Sequence, residues 1–412
     1  MPTVFVLGGL PDVPAVLDLN NTMERGLLRL FTFNSTSDFA LSGGTSLFLH
    51  YLVTEKPDAI ITRPSAFPTY VESSHFDGFD HSCYLGNIGV SEREIAKVIN
   101  HPKITVVRAS DGGVGINDNS ARSVAQVALI LGALLRRPFH EAAIIPWLSG
   151  VEGSLLDAKD FRNTHMRLVN ARLLKGVRWL CIGAGDQVRF LLPLLEAFEV
   201  KEAIITCRNV DPGTFERAIS RMPGIRTLDD DGRGATFEDG FRVRIIQQDA
   251  LTLAEGQADL LRTVDVISIH ADTGRPFVDD NFLAQLTHGR TAVINLARGH
   301  VVDESAVVRA LESGAIAGYA SDVLDDAVEK TQDFDSSPLW RLAKSSGNDG
   351  HCILQGGSNL ILLPHIGGST QEAMDSFCSV IIPKILDRIG VAWRYAQAAS
   401  AQSQQAHPFF HL

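Results

Sequence analysis

An arginine and a histidine in this chain each follow a short apolar run, and their side-chain types suggest one reaction. Ile294-Asn295-Leu296-Ala297-Arg298-Gly299 ends a β-rich run in an arginine on a glycine turn. Leu362-Leu363-Pro364-His365-Ile366-Gly367-Gly368 sets a histidine just past a second run, and Ser321-Asp322-Val323 closes a third. A planar guanidinium grips a carboxylate through two parallel hydrogen bonds. An imidazole titrates near neutral pH and trades a proton with its surroundings. A carboxylate clamp and a proton donor are the equipment for reducing a 2-oxo acid.

Those residues need strands to carry them. Apolar, β-rich runs recur at residues 4–7, 59–61, 104–107, 179–182, 203–205, 266–269, 292–294 and 360–363, with helical patterns between them. Runs of this kind predict parallel sheets covered on both faces, hence an α/β protein. At 412 residues the chain exceeds one ordinary core, and two units are expected. The expected division gives residues 1–125, completed by a C-terminal helix over 371–396, as one domain. Residues 126–370 form the other, and 397–412 form a loose tail. The stretch 123–135 is apolar nearly all round and predicts a buried helix. Ala373, Phe377, Ile381, Ile385 and Ile389 give the C-terminal helix one apolar face, with Pro383 kinking it. Residues 209–242 and 329–358 are polar and glycine-rich, and read as surface excursions.

Composition narrows the partners. Thirty-seven Lys and Arg against 48 Asp and Glu leave a net charge of −11, without a basic cluster. Neither a nucleic acid backbone nor an anionic membrane attracts such a chain as a whole. The 5 cysteines are scattered and form no CxxC, which argues against a disulfide framework or a thiolate metal site. The N-terminus reads as a first strand rather than a signal peptide, and the longest apolar run is too short for a membrane span. A cytoplasmic setting is expected.

A second glycine turn suggests a dinucleotide. The run at 179–182 leads into Gly183-Ala184-Gly185-Asp186-Gln187-Val188 and then an apolar-faced helix. Gly183 permits the turn, Gly185 admits a diphosphate to the backbone, and the helix start offers free N–H groups. Val188 stands where the usual motif has its third glycine, and a purely structural turn is an equal reading. About 20 residues further on, where an acid usually meets the ribose hydroxyls, stands Arg208. An arginine there favours NADPH over NADH, with a solvated strand end as the plain alternative.

The ordered set of the Gly-x-Gly turn, Val264-Asp265-Val266-Ile267-Ser268-Ile269-His270, the Arg298 turn, Val301-Val302-Asp303-Glu304, Asp322-Val323 and Pro364-His365-Ile366-Gly367-Gly368 resembles the D-isomer-specific 2-hydroxyacid dehydrogenases. The likeness is close over residues 262–376 and fainter elsewhere, with phosphoglycerate dehydrogenases and glyoxylate or hydroxypyruvate reductases nearest. It implies two Rossmann-like lobes with a cleft between them: a flavodoxin-like substrate domain and a doubly wound NAD(P)-binding domain. It also implies a homodimer and a small 2-oxo or 2-hydroxy acid substrate. Arg298 would bind the substrate carboxylate and carbonyl, and His365 would act as general acid and base. Asp322 would hold the nicotinamide carboxamide, Gly367 and Gly368 would let the ring pack close, Ala297 would be a further cofactor contact, and His270 would be a structural hydrogen-bonder beside the cofactor. Arg63 would bind a distal carboxylate or phosphate, and the loop with Gly86 and Gly89 would offer backbone N–H groups to the substrate carboxylate, with a surface arginine and an ordinary turn as the plain alternatives. The glutamate that pairs with the family's histidine belongs at position 327, which is Ala327 here. Asp325, Asp326 and Glu329 are candidates to replace it, with Asp326 preferred. Loss of that carboxylate would lower the histidine's pKa and move reduction toward acid pH. The rival readings are a weakly catalytic dinucleotide sensor and a dehydrogenase for another small oxyanion, such as a reduced phosphorus acid.

Overall fold

The structure, a computed structural model, describes residues 1–8, 14–33, 38, 46–62, 67–68, 70–88, 95–108, 117–136, 172–211, 213–222, 224–229, 232–331, 333–345, 351–353 and 359–391. The chain divides into two compact units, Met1–Ser120 with Ser369–Leu412, and Ala121–Gly368. The first division falls at 120/121 instead of 125/126.

In the first unit, β1 (Thr3–Leu7), β2 (Arg29–Phe33), β3 (Ala59–Thr62), β4 (Cys83–Asn87) and β5 (Ile104–Val107) form a wholly parallel sheet in the order β2-β1-β3-β4-β5. Strand β1 shows why both faces must be covered. Alternate residues point to opposite sides of a strand. Val4 and Val6 join a core with α1 (Pro14–Glu24) and α9 (Gln371–Arg388), while Phe5 and Leu7 join another with Phe48 and Leu52 of α2 (Leu47–Glu55). The apolar face expected of the C-terminal helix is buried at Ala373, Phe377, Ile381 and Ile385. The helix runs through Pro383 and ends at Arg388, with 392–412 outside the described residues.

Among the described residues the second unit has ten strands. Parallel β6 (Arg178–Ile182), β7 (Glu202–Cys207), β10 (Arg242–Gln247), β11 (Val266–Ile269), β12 (Ala292–Asn295), β13 (Gly318–Ser321) and β15 (Asn359–Leu362) are ordered β15-β13-β12-β11-β6-β7-β10. Antiparallel β14 (His351–Ile353) extends one edge, and the β8 (Ile225–Leu228) and β9 (Gly234–Phe237) hairpin extends the other. Trp179 and Cys181 of β6 enter one core and Leu180 and Ile182 the opposite one. The helix α3 (Asp118–Arg136) lies on the first of these: a Cβ at Gly132 would run into the Trp179 ring.

Both supposed surface excursions carry structure. Residues 209–242 contain α5 (Thr214–Ile219) and the β8–β9 hairpin, with Ala235, Phe237 and Phe241 buried. Residues 329–358 contain the end of α7 (Asp326–Thr331), then α8 (Pro338–Ser345) and β14. In the first, buried Ala235, Phe237 and Phe241 are scattered among polar and glycine residues, which hid them. Among the described residues, no helix is long and apolar enough to cross a membrane.

The chain leaves β6 for β7 on one side of the sheet and returns through β11 to β12, β13 and β15 on the other. The carboxyl ends at such a reversal are where open α/β sheets bind ligands.

Candidate active site

Strand β12 ends at Asn295, whose fully buried side chain shapes the turn behind it. Its Oδ1 accepts from Ala297 N at 3.1 Å and its Nδ2 donates to the Arg298 carbonyl at 2.9 Å. Arg298 is half-buried, and its Nη1 donates to the Ala297 carbonyl at 2.7 Å. Ala297 is buried in the apolar core, so it shapes the turn with its backbone. The glycine after the arginine is obligatory, since a Cβ at Gly299 would collide with the Leu324 carbonyl and the Asp325 backbone. The turn bearing Arg298 is thereby pressed against the segment that follows β13.

That segment organises the histidine. Asp322 lies past the end of β13, and its N–H donates to Asn295 O at 3.1 Å. Its buried carboxylate accepts from Ile366 N at 2.8 Å and from Gly367 N at 2.7 Å. Two consecutive N–H donors aimed at one carboxylate fix the backbone just after His365, which sits at φ 55°, a left-handed conformation uncommon outside glycine. Gly367 is needed for this approach, because a Cβ there would meet Asp322. From the other side Ser123 Oγ donates to Gly367 O at 2.6 Å. Burial raises the Asp322 carboxyl above the usual carboxylate range, and the two N–H donors only partly oppose it. Asp322 therefore ties down the His365 loop. Gly367 likewise makes room for Asp322, and Gly368 follows it at the end of the same tied loop.

The carboxylate that meets the histidine is Glu329, and the side chain of Asp326, the preferred candidate, lies outside what the structure describes. Glu329 Oε2 lies 3.1 Å from His365 Nδ1, while its Oε1 accepts from Leu324 N at 2.8 Å. Asp326 opens α7, whose first turn is fixed by Asp325 Oδ1 accepting from Ala327 N at 2.8 Å. Glu329 falls one helical turn after Asp325 and faces back toward the strand ends. The loop is further anchored by Glu304, which is buried in α6 (Glu304–Glu312). It accepts from Asp325 N at 3.2 Å and from Ser337 Oγ at 2.6 Å. The expected fall in the histidine's pKa is reversed: the Glu329 carboxylate holds His365 above the ordinary imidazole value, against burial and the charge of Arg298. With Nδ1 turned to Glu329, Nε2 is the nitrogen left to exchange a proton.

The dinucleotide turn joins β6 to α4 (Asp186–Ala197). Gly183 adopts φ +115° and Gly185 caps the helix, with nothing within 4 Å of where a Cβ would stand. That open space over free helix N–H groups fits the close approach of a diphosphate. Val188 is wholly buried among Leu191, Leu192 and Leu195, so it packs the core and its side chain cannot touch a cofactor. Gln187 turns inward, its Oε1 lying 2.8 Å from His270 Nδ1, and His270 Nε2 lies 2.9 Å from Ser268 Oγ. Ser268 Oγ also accepts from Trp179 Nε1 at 2.8 Å. Burial pushes His270 down to about 4, so it is neutral and structural. Asp186 stays exposed and pairs with Arg189 at 3.2 Å. Beside the turn, Gly183, Arg208, Asp249 and Asp272 line a cleft. Arg208 Nε reaches Asp249 Oδ2 at 2.9 Å, so the arginine on which NADPH was expected is already matched with a carboxylate.

In the first unit Gly86 lies inside β4, bonded on both sides, and a Cβ there would strike Ile381 and Ile385 of α9. It is a packing glycine, not a substrate contact. Arg63 and Gly89 lie outside the described residues. Sequence reasoning passed over Asn295, Ser123, Glu304 and Asp249. Asn295, Ser123 and Glu304 sat within stretches already singled out, but nothing in their spacing announced their partners.

Residues 242–367 match the family model described as D-isomer specific 2-hydroxyacid dehydrogenase, NAD binding domain. The chain is 34% identical over 121 residues to a D-3-phosphoglycerate dehydrogenase of Haemophilus influenzae, covering 29% of this chain and 26% of that protein. It is 28% identical over 131 residues to an aromatic 2-oxoacid reductase of Clostridium sporogenes, covering 30% and 36%. The matched stretch thus spans about a quarter to a third of these relatives. The fold is shared with D-mandelate dehydrogenase of Rhodotorula graminis at a TM-score of 0.61 and 17% identity, over 94% of both chains.

Proposed function

We propose that this chain, which belongs to the D-isomer specific 2-hydroxyacid dehydrogenase family, is a nicotinamide-dependent oxidoreductase that reduces a small 2-oxo acid to the D-2-hydroxy acid and catalyses the reverse. The observation that carries the reading is the His365–Glu329 pair at 3.1 Å, past the end of β15 and near enough to Arg298 to feel its charge.

The residues at the strand ends divide the work. Arg298 binds the substrate carboxylate and aligns the carbonyl oxygen, for which a forked guanidinium suits better than an ammonium. His365 donates a proton from Nε2 to that oxygen in reduction and recovers it in oxidation. Glu329 keeps the imidazole protonated to higher pH and fixes its ring. Asp322 and Ser123 hold the loop in the left-handed turn that aims the histidine. Gly183, Gly185 and the start of α4 would hold the dinucleotide, with Arg208 and Asp249 at its adenosine end. When bound, a reduced nicotinamide supplies the hydride. A protein that only sensed dinucleotide would have no use for a proton-holding pair, so Glu329 supports catalysis over sensing. A homodimer is part of the same proposal.

The test is consumption of reduced nicotinamide, followed by absorbance, against glyoxylate, hydroxypyruvate, 3-phosphohydroxypyruvate and 2-oxoglutarate, with Arg298→Ala alongside. Turnover that vanishes in the variant is expected. Dinucleotide binding without turnover on any of these acids would favour the sensor.

A further inference from the structure

The adenosine end of the cleft contains a carboxylate that the sequence order conceals, and the part it plays rests on the proposed binding of a dinucleotide there. In an NAD site the acid that takes the ribose hydroxyls usually ends the second strand. Here that strand, β7, gives way to Arg208, but the neighbouring parallel strand β10 leads to Asp249. The two side chains meet at 2.9 Å. Asp249 is fixed independently of the arginine, since its Oδ1 accepts from Leu251 N at 2.9 Å. Arg208 is 64% exposed and Asp249 29%, so both heads face the same opening.

We propose that Asp249 determines cofactor specificity: it supplies from β10 the acid that β7 lacks and offsets the charge Arg208 would offer a 2'-phosphate, so that NAD(H) binds in preference to NADP(H). A ribose hydroxyl both donates and accepts, and satisfies carboxylate and guanidinium together. A phosphate has only acceptor oxygens and about two negative charges, so its gain on the arginine is lost on the neighbouring carboxylate. Asp272 adds a second acid to the lining, although His300 Nε2 lies 2.9 Å from it.

Calorimetric titration of the full-length protein with NAD+, NADH, NADP+ and NADPH tests this without turnover. Asp249→Asn keeps an oxygen to accept from Leu251 and removes the charge. It should shift the affinity ratio toward the phosphorylated cofactor by roughly tenfold or more, from one repulsive charge lost at short range. Arg208→Gln should weaken the phosphorylated forms further and leave NAD(H) within about threefold, because a hydroxyl forfeits one exposed hydrogen bond. Melting curves check that each variant is folded. A wild type that prefers NADPH, or a ratio that Asp249→Asn leaves unmoved, overturns the proposal while the dehydrogenase reading stands. A wild type that binds no dinucleotide overturns both.

Discussion

Two ends of the same sheet are built on different principles. Past β12, β13 and β15, backbone N–H groups meet carboxylates: Ile366 and Gly367 on Asp322, Leu324 on Glu329, Asp325 on Glu304. Past β6 and β7, side chains meet side chains: Gln187 with His270, Asp186 with Arg189, Arg208 with Asp249. The first arrangement fixes the path of the chain, and atoms that exchange a proton require that, because proton transfer works only within hydrogen-bond reach. The second leaves the backbone alone and adjusts charge and polarity around a site whose grip comes from the glycine turn. Chemistry is set by the course of the chain, and the choice of ligand by exchangeable pairs.

The sharpest way to break this contrast is to alter a chemical group at the first end that is not a carboxylate tie. Arg298→Lys keeps the charge and loses the fork, and should lower kcat/KM about a hundredfold to a thousandfold, the scale for losing a preorganised donor. A loss below tenfold would mean that charge alone suffices and the clamp is misread. Next comes the collision that presses the arginine turn onto the Leu324 segment. Gly299→Ala should destabilise the protein by about 1–3 kcal/mol, as overpacking does, with a lower melting temperature and weakened turnover together. An unchanged melt would show that the two segments need not touch.

Some of this design was legible in the sequence and some was not. The β12 run and its arginine could be read because every residue of the strand is buried and the glycine follows at once. Glu329 was one candidate among three, since which acid meets the histidine depends on where α7 starts, and that is decided by Asp325 capping its own turn. Asp249 was invisible, being some forty residues from Arg208 in sequence and adjacent only because β10 pairs with β7. The β8–β9 hairpin was lost in a run of Asp, Gly and Arg, in which Arg233 is exposed while Ala235 and Phe237 are buried. Gly86 looked like a ligand glycine because packing of a helix on a strand and approach of a substrate demand the same missing side chain.

The smallest expected effect lies at the second end. Asp186 opens α4 with a negative charge where a diphosphate would approach, and its partner Arg189 offsets it only in part. Asp186→Asn should tighten dinucleotide binding about two- to fivefold in low salt, as for one charge at a helix start, and the gain should fade as salt screens it. Binding unaltered at every salt concentration would show that the carboxylate lies clear of the ligand.

The central claim is that Glu329 holds the proton on His365, and the pH dependence of turnover in Glu329→Gln tests it most directly. The pair raises the histidine's pKa, so the protonated form needed for reduction persists to higher pH in the wild type. With the carboxylate neutralised, the alkaline limb of reductive kcat/KM should move toward acid. The acid limb of the oxidative reaction should move the same way. Limbs that stay in place would assign the titration to another group and contradict the account.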